Sequence, residues 1–278
     1  MRAQEYDFIK HKVRKLIGMD LNFYKSAQMQ RRLKTYLLRS GHANWANFFR
    51  AIQSDPTGLG KLRDYLTINV TAFFRDPQKF ERLRTFILPE LLRERPRLRV
   101  WSAGCSQGHE PYSLAMLLVQ ASGLDSRHLI LGTDIDHSAL VRARAGGPYP
   151  ADSVAKTSPS LLHRYFEMRD DGYHVTDELR RKVTFRHHDL SRDPFQKGFD
   201  LIVCRNVVIY FTREIKERLY RRFHSALRPG GVLFVGGTEV MSKTASQGFE
   251  MVDISFYRRN GVKQRWSARN FAQPYGRG

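Results

Sequence analysis

The sequence predicts an α/β protein built on a doubly wound, mostly parallel sheet, and three observations predict it. Residues 98–101 are a short apolar run that breaks into a glycine-containing turn at 104–108. A helical pattern then follows over Leu114, Ala115, Leu117 and Leu118. Strand, glycine turn, helix is how such folds build a ligand site at the carboxyl end of their first strand. Residues 128–134 form a second apolar run ending on Asp134, where these folds place an acid for ribose hydroxyls. Further apolar runs at 183–187, 200–204 and 232–235 are interleaved with helical patterns, as a parallel sheet requires.

The first third of the chain reads as helix. Phe8, Ile9, Val13, Leu16 and Ile17 mark one amphipathic segment; Trp45, Phe48, Phe49 and Ile52 mark another, with Asn44 as its cap. Between them, residues 24–39 put Ala27, Leu33, Tyr36 and Leu37 on an inner face. Gln28, Arg31, Arg32, Thr35 and Arg39 fall on the outer face. These arginines lack the i,i+4 acids of a self-paired surface, so the face is either solvated or a docking surface. A short helix at 59–66 leads into 67–77, where Asn69, Thr71 and Arg75 accompany Phe73 and Phe74. That mixture suits a segment lying across a pocket, polar groups inward and aromatics buried. A helix at 78–88 leads into the core.

The helix after the glycine turn starts near Glu110 and Pro111, residues suited to a first turn. Gly104 and Gly108 would let the backbone approach a ligand closely. Asp136 reads as the cap of the next helix, which leaves Asp134 for the ligand. Residues 146–181 read as an insertion holding a hairpin, with Asp171-Gly172 as a type I′ turn signal. The third and fourth strands are expected at 183–187 and 200–204, with 205–211 in the ligand crevice. A helix at 213–227, a fifth strand at 232–235 and a final strand at 249–257 complete the core. The division expected is a helical domain at 1–68, a ligand-binding domain at 69–258 and a disordered basic tail at 259–278.

At 278 residues, 41% hydrophobic and 12% aromatic, the chain is long and apolar enough for real cores. No apolar run approaches the roughly 18 residues of a membrane span, and the start of the chain lacks a secretory signal's apolar core. Two cysteines, Cys105 and Cys204, fit a reducing cytoplasm, and no clustered Cys/His spacing points to a metal. The net charge is +20. Residues 1–68 hold thirteen Lys/Arg against five acids and 258–278 six against none, so only +6 falls on the middle. The basic surface thus lies mostly outside the ligand-binding core, where it would meet an acidic protein, a nucleic acid or an anionic membrane.

Four motifs occur in order: Asn69-Val-Thr-Ala-Phe-Phe-Arg-Asp76, Trp101-Ser-Ala-Gly-Cys-Ser-Gln-Gly-His-Glu-Pro-Tyr-Ser113, Thr133-Asp-Ile-Asp136 and Cys204-Arg-Asn-Val-Val-Ile-Tyr-Phe211. On these the chain resembles the CheR family of chemotaxis-receptor methyltransferases, up to about residue 258. The resemblance implies a Rossmann-like class I methyltransferase core with a small helical domain and a hairpin insertion. It implies S-adenosylmethionine as cofactor, S-adenosylhomocysteine as product, and glutamates on the cytoplasmic helices of chemoreceptors as substrate, with no metal and no nucleic acid. Arg75 and Tyr210 are implied at the reacting centre. Asn69, Thr71, Arg75, Gly104, Glu110, Asp134, Asp189, Leu190, Arg205 and Asn206 are implied at the cofactor, and Arg31, Arg32 and Arg39 at the receptor.

Several positions depart from the family pattern. His109 stands where an acid is usual, Asp189 replaces an asparagine near the adenine, and Gly236-Gly-Thr-Glu239 replaces Gly-His-Ser-Glu. The short hairpin over 167–175 resembles the kind that does not tether to a receptor's carboxyl-terminal pentapeptide. Two rival readings are a non-catalytic ligand-binding module and a nucleic-acid methyltransferase. Retention of Arg75, Glu110, Asp134 and Tyr210 speaks against the first. The absence of Asn/Asp-Pro-Pro-Tyr/Phe after the fourth strand speaks against the second.

Overall fold

The computed structural model describes residues 1–67, 71–124, 126–237, 239, 241–242 and 246–261. The chain opens with α1 (Ala3–Ile17), a 3₁₀ turn at Leu21–Phe23, α2 (Ser26–Arg39), α3 (Trp45–Ile52) and α4 (Pro56–Leu66). These pack around Ile9, Val13, Leu33, Phe49 and Leu62. Asn44 caps α3 by accepting from Asn47 N at 2.9 Å. Helix α4 begins earlier than the apolar pattern indicates, because Asp55 caps it and Pro56 occupies its first turn. On α2 the buried stripe is Met29 and Leu33, while Ala27 is exposed. Ala27 lies in the first turn, and the i,i+4 pair takes the inner face.

Helices α5 (Pro77–Arg82) and α6 (Leu88–Glu94) are joined by a π turn at Leu83–Ile87. The helical run therefore continues six residues past 88. Pro89 lacks the N–H an α-helical ladder would use, and the wide turn before it absorbs the mismatch.

The core then runs β1 (Arg99–Ala103), α7 (His109–Ser122), β2 (Leu129–Asp134) and α8 (His137–Ala145). The insertion follows as α9 (Ala151–Val154), α10 (Pro159–Tyr165), β3 (Phe166–Arg169), β4 (Gly172–Val175) and α11 (Asp177–Arg180). Next come β5 (Val183–His187), β6 (Phe199–Cys204), α12 (Arg213–Ala226), β7 (Leu227–Val235), β8 (Phe249–Asp253) and β9 (Phe256–Arg259). The main sheet has the order β5-β2-β1-β6-β7-β9-β8, parallel except that β9 runs antiparallel to both its neighbours. Strand alternation divides the core into two layers. Val100, Leu201 and Val203 face one, and Trp101, Ile202 and Cys204 the other. The chain order reverses between β1 and β6, so a crevice opens at their carboxyl ends.

Three expectations need correction. The hairpin β3–β4 exists, but Arg169 pairs with Gly172, so its turn is Asp170–Asp171 and neither residue has positive φ. The final strand is two, because Ser255 at φ 78° turns the chain back on itself. Strand β7 starts at Leu227, its Pro229-Gly230-Gly231 stretch absorbed by a register shift against β6. Ordered sheet thus reaches Arg259, and of the expected tail only residues 262–278 lie outside the described residues. Among the described residues no helix is long and apolar enough to cross a membrane.

Candidate active site

One cavity occupies the crevice, with about 1060 Å³ of atom-free space including its open mouth. The ends of β1, β2 and β6 form its floor, and the helical domain covers it. Thr71, Arg75, Gly104, Glu110, Asp134, Asp189, Leu190, Arg205, Asn206 and Tyr210 all line it. Asn69 lies outside the described residues. Sequence reasoning missed the contributions of the helical domain: Met19, Tyr24, Met29, Leu66 and Thr67 line the same cavity, as does His188.

Segment 71–77 reaches the cavity because its two aromatics anchor it. Phe73 is wholly buried against His109, Tyr149 and Phe166, and Phe74 against Phe80. Each such burial stabilises the fold by roughly 1.5–3 kcal/mol, which fixes Thr71 and Arg75 on the opposite side.

Glu110 sits in the first turn of α7, where the helix dipole favours an anion. Ser102 Oγ donates to its Oε1 at 2.7 Å, and Arg205 Nη1 stands 3.5 Å from Oε2. Burial pushes its carboxyl up, while the Arg205 guanidinium and the Ser102 hydroxyl pull it down. Arg205 lines the cavity, but its guanidinium is engaged within the protein. It pairs with Asp76, donates to Arg75 O at 2.9 Å, and lies against the Phe80 and Phe234 rings. It therefore braces Glu110 and the Arg75 backbone against each other.

The two acids of Thr133-Asp-Ile-Asp136 have separate work. Asp136 caps α8 by accepting from Ser138 N and Ala139 N, and also accepts from Thr67 Oγ1 at 2.8 Å. Asp134 accepts from Ser106 N at 2.7 Å and Asp136 N at 2.9 Å, one bond to each oxygen. Asp189 closes a local turn, its Oδ1 accepting from Ser191 N at 2.8 Å and Ser191 Oγ at 2.6 Å.

Gly104 has φ 86°, and a Cβ there would come within 2.4 Å of Val207 Cγ2, another cavity residue. Gly108 serves a different end. At φ 91° its missing Cβ would crowd Ala143 of α8, so it permits helix packing and not ligand approach. Asn206, at φ 58°, presents a buried Oδ1 with no hydrogen-bond partner among the described residues. That orphaned acceptor and the Glu110 and Asp134 carboxylates fit a ligand with an ammonium group and ribose hydroxyls. They fit S-adenosylmethionine.

Arg75 brings a cation to the same cavity. Burial raises the Tyr210 phenol, and the Arg32 and Arg75 charges draw it back down. Arg32 is consequently not part of an exposed arginine row. It is half-buried, donates to Tyr65 O and lies over the Tyr65 ring at 4.8 Å, whereas Arg31 and Arg39 are exposed. Among the described residues no group of three His, Cys, Asp or Glu side chains is placed to hold a metal.

Comparison with known proteins agrees with this geometry. The CheR methyltransferase SAM binding domain matches residues 69–258, and the CheR methyltransferase all-alpha domain matches residues 4–67. A chemotaxis protein methyltransferase of Listeria monocytogenes is 40% identical over 256 residues, covering 91% of this chain and 97% of that protein. Chemotaxis protein methyltransferase 1 of Pseudomonas aeruginosa is 35% identical over 268 residues, covering 92% and 97%. A probable chemotaxis protein methyltransferase of Rhizobium etli is 36% identical over 254 residues, covering 87% and 94%. With its carboxylate-lined cofactor cavity and both domain matches, the chain belongs to the CheR family of S-adenosylmethionine-dependent methyltransferases.

Proposed function

We propose that the chain transfers a methyl group to glutamate side chains on the cytoplasmic helices of chemoreceptors, in the cytoplasm, yielding γ-methyl esters. The observation that carries this reading is the polarity of the cavity. The Glu110 and Asp134 carboxylates and the Arg75 guanidinium line the same cavity, and the Arg32 and Arg75 charges both act on Tyr210. That arrangement suits a cationic methyl donor meeting an anionic acceptor. The names of the curated relatives support the choice of chemoreceptors.

S-adenosylmethionine, when bound, supplies a methyl group on a positively charged sulfur. A glutamate carboxylate has a pKa near 4.3, so it is already ionised at neutral pH and needs no general base. The protein's task is orientation. Arg75 holds the incoming carboxylate, and the Tyr210 phenol, kept protonated by its raised pKa, donates to it or walls the transfer site. Glu110 and Asn206 Oδ1 hold the ammonium end of the donor, and Asp134 holds the ribose. Donor cation and acceptor anion neutralise each other during transfer, so a cavity that excludes water favours the reaction.

In this reading residues 1–68 dock the receptor through Arg31 and Arg39 beside the site, with Arg32 turned inward. Residues 69–258 carry the chemistry, and the short hairpin leaves docking independent of a receptor pentapeptide. The test is transfer of labelled methyl to a purified receptor cytoplasmic fragment. Base-labile label that disappears when the receptor's methylatable glutamates are changed to alanine supports the proposal. Cofactor binding without receptor labelling would move the reading to a non-catalytic module.

A further inference from the structure

The side chains around the nucleoside end of the cavity pose a hydrogen-bonding problem. The Asp134 and Asp189 carboxylate oxygens act as acceptors here, taking hydrogen bonds from Ser106 N and Ser191 N. An adenine amino group and ribose hydroxyls can donate to them, but adenine ring nitrogens and ribose oxygens need a donor. His188 does not provide one. Its Nε2 lies 3.3 Å from Pro194 O, a group that can only accept, so the proton belongs on Nε2. Its buried Nδ1 has no hydrogen-bond partner among the described residues and is an acceptor in the neutral ring.

Tyr24 supplies what is missing. It belongs to the helical domain, yet it lines the cavity with Asp134, His188, Asp189 and Leu190. Its ring lies 4.9 Å from that of Phe211, and its backbone bridges Phe211. Lys25 N donates to Tyr210 O and Thr212 N to Phe23 O, both at 2.9 Å. On the other side Arg192 Nη1 donates to Gly18 O at 3.1 Å. The segment carrying Tyr24 is thus clipped both to the loop that bears Tyr210 and to the loop that bears Asp189. The phenol is buried beside the Asp189 and Asp134 charges, all of which raise its pKa and keep its proton in place.

We propose that the Tyr24 hydroxyl donates a hydrogen bond to an acceptor atom of the cofactor's nucleoside, so that the helical domain completes the cofactor site as well as serving the substrate. The proposal rests on the S-adenosylmethionine reading of the cavity. Its test is calorimetric binding of S-adenosylhomocysteine and of 5′-methylthioadenosine, which lacks the amino-acid end, to the full-length wild type and Y24F. The ring contact with Phe211 survives in Y24F. Both ligands are expected to bind about three- to tenfold more weakly, by the same factor, as for one neutral hydrogen bond. The melting temperature of the unliganded protein is expected to stay unchanged.

Unchanged affinity for both ligands would overturn the proposal, with or without a lowered melting temperature. So would a loss confined to S-adenosylhomocysteine, because it would place the contact at the amino-acid end. In the wild type, amide exchange over residues 21–29 is expected to slow when 5′-methylthioadenosine binds, and no slowing would also count against it. Failure of wild type to bind either ligand would instead overturn the cofactor reading beneath it.

Discussion

His109 shows how one side chain ties the cofactor turn to its support. It stands at the first position of α7, next to Glu110, and is packed between the rings of Phe73 and Tyr149 at 4.8 and 4.6 Å. Among the described residues neither ring nitrogen has a hydrogen-bond partner, and burial pushes its pKa down to about 4. In the unfolded chain a histidine titrates near 6.5. The folded state therefore disfavours the proton, so the stability from this site is complete above pH 6.5 and is lost as the pH falls toward 4. The full loss is about 3 kcal/mol. His109→Leu is expected to have a flatter pH dependence of urea-unfolding free energy than wild type between pH 6.5 and 4, and equal slopes would contradict the assignment. At the same scale, Arg75→Ala is expected to lower kcat for methyl transfer about 10²-fold or more, as loss of a preorganised charge does. Binding of S-adenosylhomocysteine should fall much less. A purely cofactor-binding Arg75 would show the reverse split.

Among elements, the junctions matter more than the strands. Asp136 joins the end of α4, through Thr67, to the start of α8 while lying fully buried. Asp136→Ala removes the cap of α8 and the side-chain link to Thr67, an expected cost of about 1–2 kcal/mol read from denaturant unfolding. No change would mean that the two domains do not depend on this link. Beneath the sheet, Asp200 accepts from Arg99 N at 2.7 Å and pairs with Arg228, which reaches Glu94 at 2.9 Å; Glu94 in turn pairs with Arg258 at 3.0 Å. Asp200→Ala leaves Arg228 with Glu94 as its carboxylate partner and takes the acceptor from Arg99 N, so about 1–3 kcal/mol should be lost in the same assay.

Much of this architecture is legible in the sequence, because β1, β2, β5 and β6 are apolar runs with turn residues at their ends. The acids and glycines of the cofactor turn sit where that pattern puts them. What the sequence hides depends on packing between distant segments. Met19, Tyr24 and Met29 read as helix and linker until the helical domain folds over the cavity. Arg32 looks like its neighbour Arg31 until Tyr65 captures it. Gly108 resembles Gly104 until α8 is seen beneath it.

At the scale of the whole molecule, the net charge is +20, and residues 1–68 contribute thirteen Lys/Arg against five acids. Exposed Arg31 and Arg39 lie on α2, the helix that also carries Arg32, whose charge acts on Tyr210. Changing both Arg31 and Arg39 to glutamate is expected to raise the KM for receptor and weaken its salt dependence, with S-adenosylhomocysteine affinity unchanged. Equal losses in both would point to a folding defect instead of docking.

The measurement that tests the central claim most directly is peptide mass spectrometry of a receptor cytoplasmic fragment incubated with the chain and S-adenosylmethionine. The account predicts a single-methyl mass gain on glutamates of the receptor helices, removed by mild base and absent with Arg75→Ala. A methyl group on lysine, arginine or an added nucleic acid, stable to base, would contradict it.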